Sequence, residues 1–145
     1  MAKILKGKMV HPKVNAVCSP GSRQVYNMIA ANGALADLIA AGVRILESGC
    51  GPCPGLGAVP QTGAISLRAF NRNFSGRSGV KDDQIYLCSP LTAAASAVTG
   101  VITDPRKRGA APERHYPASL IASNAGLVPP ARASPAPAPR PRPWR

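Results

Sequence analysis

The chain has 145 residues, enough for one domain with a packed core and too few for several. Apolar residues make up 45% of it, yet only six residues are aromatic, which suits packed aliphatic helices and strands better than a binding surface built on stacking. The formal charge of +12 divides unevenly, with ten Lys or Arg against five acids in residues 1–105 and eight against one in residues 106–145, so the basic excess belongs mainly to the end of the chain and argues against a nucleic-acid-binding domain.

The first ten residues carry scattered lysines without the apolar stretch and small-residue cleavage site of a secretion signal. No apolar run approaches the roughly 18 to 20 residues that span a bilayer. Together these predict a cytoplasmic protein, with its thiols kept reduced and no membrane association. Residues 14–18 form a short apolar run halted by Ser19-Pro20-Gly21, which predicts a buried strand entering a turn. Ser22 can then cap a helix with Val25, Met28 and Ile29 on one face and Asn32-Gly33 as its stop. A second short helix follows, with Leu35, Leu38 and Ile39 inward and Gly42 at its end, and residues 43–46 read as a strand.

Residues 48–62 are dominated by Gly and Pro and predict a long irregular loop that carries Cys50 and Cys53. Residues 65–70 read as the next strand, which delivers the polar cluster Asn71, Arg72, Asn73 and Arg77 to its far end. Residues 85–88 form another apolar run, and Ser89-Pro90 opens an Ala-rich helix over residues 91–99 that Gly100 ends. The alternation predicts an α/β domain with a mostly parallel sheet covered on both faces, a three-layer α/β/α arrangement over residues 1–130. Residues 131–145 contain five prolines, four arginines and no acid, a composition that predicts an extended, disordered tail.

Cys50-Gly51-Pro52-Cys53 is the sharpest chemical feature. Two intervening residues let both sulfurs face one point, and such a pair suits zinc, an iron-sulfur cluster or a redox disulfide. Zinc would want two further Cys or His at recognisable spacing, and Cys18, Cys88, His11 and His115 are all unpaired in sequence. A thioredoxin-like site would open directly into a helix, whereas Pro54-Gly55-Leu56-Gly57 is a poor helix start. Cys18 and Cys88 each end an apolar run and read as core thiols.

The order and spacing of several segments resemble the large subunit of the aconitase family of hydro-lyases, which includes aconitase, homoaconitase and isopropylmalate dehydratase. The segments are Ser19-Pro20-Gly21-Ser22-Arg23-Gln24, Gly49-Cys50-Gly51-Pro52-Cys53, Asn71-Arg72-Asn73-Phe74-Ser75-Gly76-Arg77 after Ser66-Leu67-Arg68, Tyr86-Leu87-Cys88-Ser89-Pro90, and Thr99-Gly100-Val101-Ile102-Thr103-Asp104. The resemblance implies that Cys50 and Cys53 are two of three thiolates holding a [4Fe-4S] cluster whose open iron binds substrate hydroxyl and carboxyl oxygens. It implies that Asn71 stands beside the cluster and can donate to a sulfur. It also implies that Arg72 and Arg77 bind the carboxylates of a di- or tricarboxylic hydroxy acid, a task suited to a planar fork of donors. Arg23, Arg44 and Arg68 are not assigned to the site.

The resemblance implies partners as well. In the family the third cluster cysteine and the proton-handling residues lie in an upstream large-subunit segment, and a catalytic serine comes from a swivelling domain that is often a separate small subunit. This chain is therefore expected to be a fragment or split subunit and a poor catalyst alone. Competing readings are a basic polyanion- or RNA-binding protein that retains the fold, and a nonfunctional remnant. The first is disfavoured by the absence of interleaved aromatics and of a helix with a basic stripe.

Overall fold

The chain runs α1 (Ala2–Leu5), β1 (Val17–Cys18), α2 (Arg23–Ala31), α3 (Ala34–Ala40), β2 (Arg44–Ile45), β3 (Ile65–Arg68), β4 (Gln84–Leu87), α4 (Pro90–Thr99) and a 3-10 turn at Pro105–Arg108. This structure, a computed structural model, describes residues 1–108. The predicted tail at 131–145, and the predicted end of the domain at 109–130, lie outside the described residues.

Local chemistry sets the helix boundaries. The Ser22 hydroxyl accepts the Val25 N–H at 3.1 Å, and the Ser89 hydroxyl accepts the Thr92 N–H at 3.1 Å, so each satisfies a donor that the first turn leaves without a partner. Loss of either cap costs about 1 kcal/mol. Pro90 follows at the start of α4, where a missing N–H is harmless. At the other end the Gly100 N–H closes on the Ser96 carbonyl at 2.8 Å.

The core is organised by a helix that sequence periodicity did not reveal. Leu5, at the end of the four-residue α1, is fully buried and packs with Leu38, Ala41, Val43 and Ala94. One turn of helix is too short to show a 3.6-residue repeat, and its stability comes from packing on both α3 and α4. Truncating Leu5 to Ala would cost about 2–5 kcal/mol. The segment after α1 is tied down at both helices, with the Val10 N–H on the Ala41 carbonyl and the His11 N–H on the Ala97 carbonyl, each at 2.8 Å. Small residues of α4, Ala94, Ala95 and Ala97, are buried and allow its close approach to α1 and β3.

Val25, on the apolar face of α2, and Ile39, expected inward, are open to solvent. Val25 is 42% exposed and Ile39 is 57% exposed. Among the described elements α2 packs only on α3, which covers a narrow stripe, and the buried contact of the short α3 is made by Leu38. The strands pair in parallel, as the α/β reading requires, but in two separate ladders. Val17 and Cys18 pair with Arg44 and Ile45, while residues 65–68 pair with residues 84–87. The ladders communicate through helices, since α1 bridges α3 and α4 and α4 lies on β3. Ile65 and Leu87 are exposed, so among the described residues the second ladder is not covered on both faces. No helix there is long and apolar enough to cross a membrane.

Cys18 and Cys88 are half-buried, and burial pushes both thiols up from their ordinary range. Cys18 packs against the core cluster, as expected of a structural thiol.

Candidate functional site

The loop between β2 and β3 is a succession of tight turns. The Cys53 N–H reaches the Cys50 carbonyl at 3.2 Å, the Gly55 N–H the Pro52 carbonyl at 3.1 Å, and the Leu56 N–H the Gly51 carbonyl at 2.9 Å. Side chains from three strand ends hold this loop by its carbonyls. Ser19, just after β1, donates to Glu47 at 2.7 Å and to Gly49 at 3.3 Å. Arg44 of β2 donates to the Gly57 carbonyl, and Arg68 of β3 to the Cys53 carbonyl at 3.3 Å.

Within the loop Cys50 is exposed and Cys53 is buried. The Cys50 thiol is pushed up from its ordinary value, by hydrogen bonding with Cys53 first, then by desolvation and by charge on Cys53. Arg77 and Arg72 act in the opposite direction, stabilising a Cys50 thiolate. The Cys53 thiol also donates to the Arg72 carbonyl at 3.4 Å. The structure thus brings the cysteine pair together with the loop that follows β3.

In that second loop Arg72 and Asn71 are exposed, and the Asn71 side chain makes no hydrogen bond with the described residues. Its neighbour Asn73 instead serves the fold, donating from Nδ2 to the Phe70 carbonyl at 2.8 Å. Arg77 is half-buried with its Cζ 5.8 Å from the centre of the Phe74 ring, within cation–π range. Its Nε is buried and has no hydrogen-bond partner among the described residues. A buried, unmatched donor on a cation beside two thiols is a ready contact for an anionic oxygen.

Asp83, next to β4, organises the same loop from beneath. Its carboxylate accepts the Ser78 hydroxyl at 2.7 Å and the Gly76 N–H at 3.0 Å. Those two bonds, led by Ser78, hold its pKa below the usual carboxylate value, and Arg68 adds to the effect. Arg68 and Asp83 are each only 5% exposed. Sequence reasoning left both out of the site, although a charge that interrupts an apolar strand run, as Arg68 does, signals a buried partner.

A model of the Aconitase family (aconitate hydratase) matches residues 1–100. The chain belongs to the aconitase family. It is 44% identical over 107 residues to the 3-isopropylmalate dehydratase large subunit 1 of Methanopyrus kandleri, covering 72% of this chain and 25% of that protein. It is 50% identical over 109 residues to a probable methanogen homoaconitase large subunit of Methanosarcina mazei, covering 73% and 27%. To the homoaconitase large subunit of Thermus thermophilus it is 44% identical over 107 residues, covering 73% and 26%. This aconitase-family chain spans about a quarter of the length of these curated relatives.

The donor set bears on the cofactor such a family member would hold. Two thiols three residues apart in one turn of the loop, with guanidinium charge favouring the Cys50 thiolate, fit two corners of an iron-sulfur cluster. Among the described residues no group of three or more Cys, His, Asp or Glu gathers into a metal-binding cluster. Cys18 and Cys88 lie elsewhere, at the ends of β1 and β4.

Proposed function

We propose that this chain supplies part of the cluster and substrate site of a [4Fe-4S]-dependent hydro-lyase that interconverts di- or tricarboxylic hydroxy acids and their dehydrated forms. The observation that carries the reading is the meeting of the two loops, with the Cys53 thiol on the Arg72 carbonyl and Gly55 against Ser78. Cys50 and Cys53 would hold two of the irons. When bound, the cluster supplies a Lewis acid for the substrate hydroxyl.

The chain's own residues then have distinct tasks. The unmatched Arg77 Nε donates to a substrate carboxylate in a partly water-excluded position, where a charge-assisted hydrogen bond is stronger than in bulk water. The exposed Arg72 attracts the anionic substrate and contacts a second carboxylate. Asn71, whose side-chain amide has no partner among the described residues, would donate to a cluster sulfur. The remaining thiolate and the proton-handling groups come from an upstream large-subunit segment, and a catalytic serine from a small swivelling subunit. The names of these relatives, all large subunits, favour such partners. The two parallel ladders would join a larger sheet in a three-layer α/β/α domain, which would cover the exposed Ile65 and Leu87. All four cysteines are free thiols, in keeping with a reducing cytoplasm.

The test is anaerobic assembly of the chain with iron, sulfide, the upstream segment and the small subunit of a relative, followed by an assay of isopropylmalate, homocitrate and citrate dehydration. The reading predicts turnover only with all components present, and none with the chain alone. Turnover that persists when this chain is left out, or when it carries Arg77→Ala, would overturn it.

A further inference from the structure

We propose that Arg68, on β3, and Asp83, just before its partner strand β4, are two buried positioning residues that together fix the cysteine loop relative to the arginine loop. This rests on the dithiol reading above and extends it to residues that the family motif leaves unassigned.

The geometry supports a joint role. Arg68 Nη1 donates to the carbonyl of Cys53 itself, at 3.3 Å, while its Nε is held by the Ser66 hydroxyl at 3.0 Å. Asp83 accepts from Gly76 and Ser78, the residues on either side of Arg77. One member therefore grips the cysteine loop at a proposed ligand, and the other grips the arginine loop on both sides of the proposed carboxylate contact. Both residues are only 5% exposed, and the Arg68 charge is a lesser cause, after the Ser78 and Gly76 hydrogen bonds, that lowers the pKa of the Asp83 carboxyl. The two strands that carry them set their separation, because Arg68 pairs in register with Leu87 in the ladder β3–β4, and Asp83 directly precedes β4.

Burying a charge is seldom the best way to stabilise a fold, since apolar residues of equal volume do as well or better. What apolar residues cannot do is hold two loop backbones by directed hydrogen bonds. The pair serves as an internal brace, with Cys53 and Arg77 mounted on its two ends.

The experiment uses the reduced, metal-free full chain and phenylarsine oxide, which condenses with two neighbouring thiols to give two As–S bonds and one water, with no change in oxidation state. Capture at Cys50 and Cys53 is measured by titration and mass spectrometry, beside circular dichroism and thermal melting. Arg68→Met should weaken the dithiol capture about tenfold while alkylation of Cys18 keeps its rate. Asp83→Asn should weaken it less, and the double variant should fall short of the sum of the two effects. Ser66→Ala, which removes only the anchor of Arg68 Nε, should give a smaller loss without lowering the melting temperature, and covers the case in which Arg68→Met does not fold. Unchanged capture in Ser66→Ala together with unchanged capture or unfolding in Arg68→Met overturns the positioning role. Failure of the wild-type chain to capture the arsenical at both thiols overturns the dithiol reading instead.

Discussion

Gly55 is where the cysteine loop meets the arginine loop, and a single methyl group there tests whether the two are in contact. Its φ is +99°, and a Cβ would lie 2.6 Å from the Ser78 carbonyl oxygen and 3.0 Å from Val59 Cγ2. An L side chain at such a φ costs about 1–2 kcal/mol, and overpacking against a fixed backbone about 1–3 kcal/mol more. Gly55→Ala should therefore destabilise the chain by about 3 kcal/mol. Two other glycines separate the contributions. Gly79, at φ +88°, has open space around its missing Cβ, so Gly79→Ala should cost only the conformational part, about 1 kcal/mol. Gly51 has no positive φ and would meet Leu56 Cβ at an ordinary 3.7 Å, so Gly51→Ala should be neutral or stabilising by up to about 1 kcal/mol. Urea unfolding of the three variants checks the order, with the Gly55→Ala midpoint lowered by about 1 to 3 M. A Gly55→Ala protein no less stable than Gly79→Ala would refute the close approach of the two loops.

Asp83 should give the chain an acid-sensitive stability. Its carboxyl titrates below its unfolded value, so the stabilisation is fully present above the usual carboxylate range and is lost as pH falls through the depressed native value. Denaturation midpoints measured from about pH 6 down to about pH 2 should fall more steeply for wild type than for Asp83→Asn, and parallel curves would contradict the assignment. Cys50, exposed and with its thiol pushed up, should be the first of the two loop cysteines alkylated by iodoacetamide, at a rate that keeps rising above the pH where a free thiol levels off. Faster labelling of the buried Cys53, read by peptide mass spectrometry, would reverse their assigned exposures.

What the sequence made legible follows physical range. Ser22, Ser89-Pro90 and Gly100 act within a few residues of themselves, and each sits where capping chemistry requires. The pairing of the two loops was legible only through the family motif, since no local rule brings residue 50 to residue 77. The motif named Cys50, Cys53, Asn71, Arg72 and Arg77; the Cys53 thiol meets the Arg72 carbonyl, while Asn71 and Arg72 are exposed. Arg68 escaped notice because its importance depends on a carbonyl 15 residues away and on a carboxylate in another strand's flank. The α1 helix escaped because four residues carry no period, although Leu5 is the centre of the core. Periodicity puts Val25 on the apolar face of α2 and Ile39 inward in α3, yet both are exposed, because which side of a helix is covered depends on neighbours that periodicity does not specify.

The most direct test of the proposed cluster role is iron and sulfide content after anaerobic reconstitution with the upstream segment supplied, measured together with the absorption and paramagnetic spectra of single cysteine variants. Cys50→Ser and Cys53→Ser should each lose the [4Fe-4S] signal, because a serine oxygen is a poorer ligand for these irons than a thiolate, while Cys18→Ser should retain it. The chain alone should give only a weak, heterogeneous signal. A stoichiometric cluster on the chain alone that survives Cys50→Ser and disappears with Cys18→Ser would contradict the assignment of the ligands and make Cys18 part of the site.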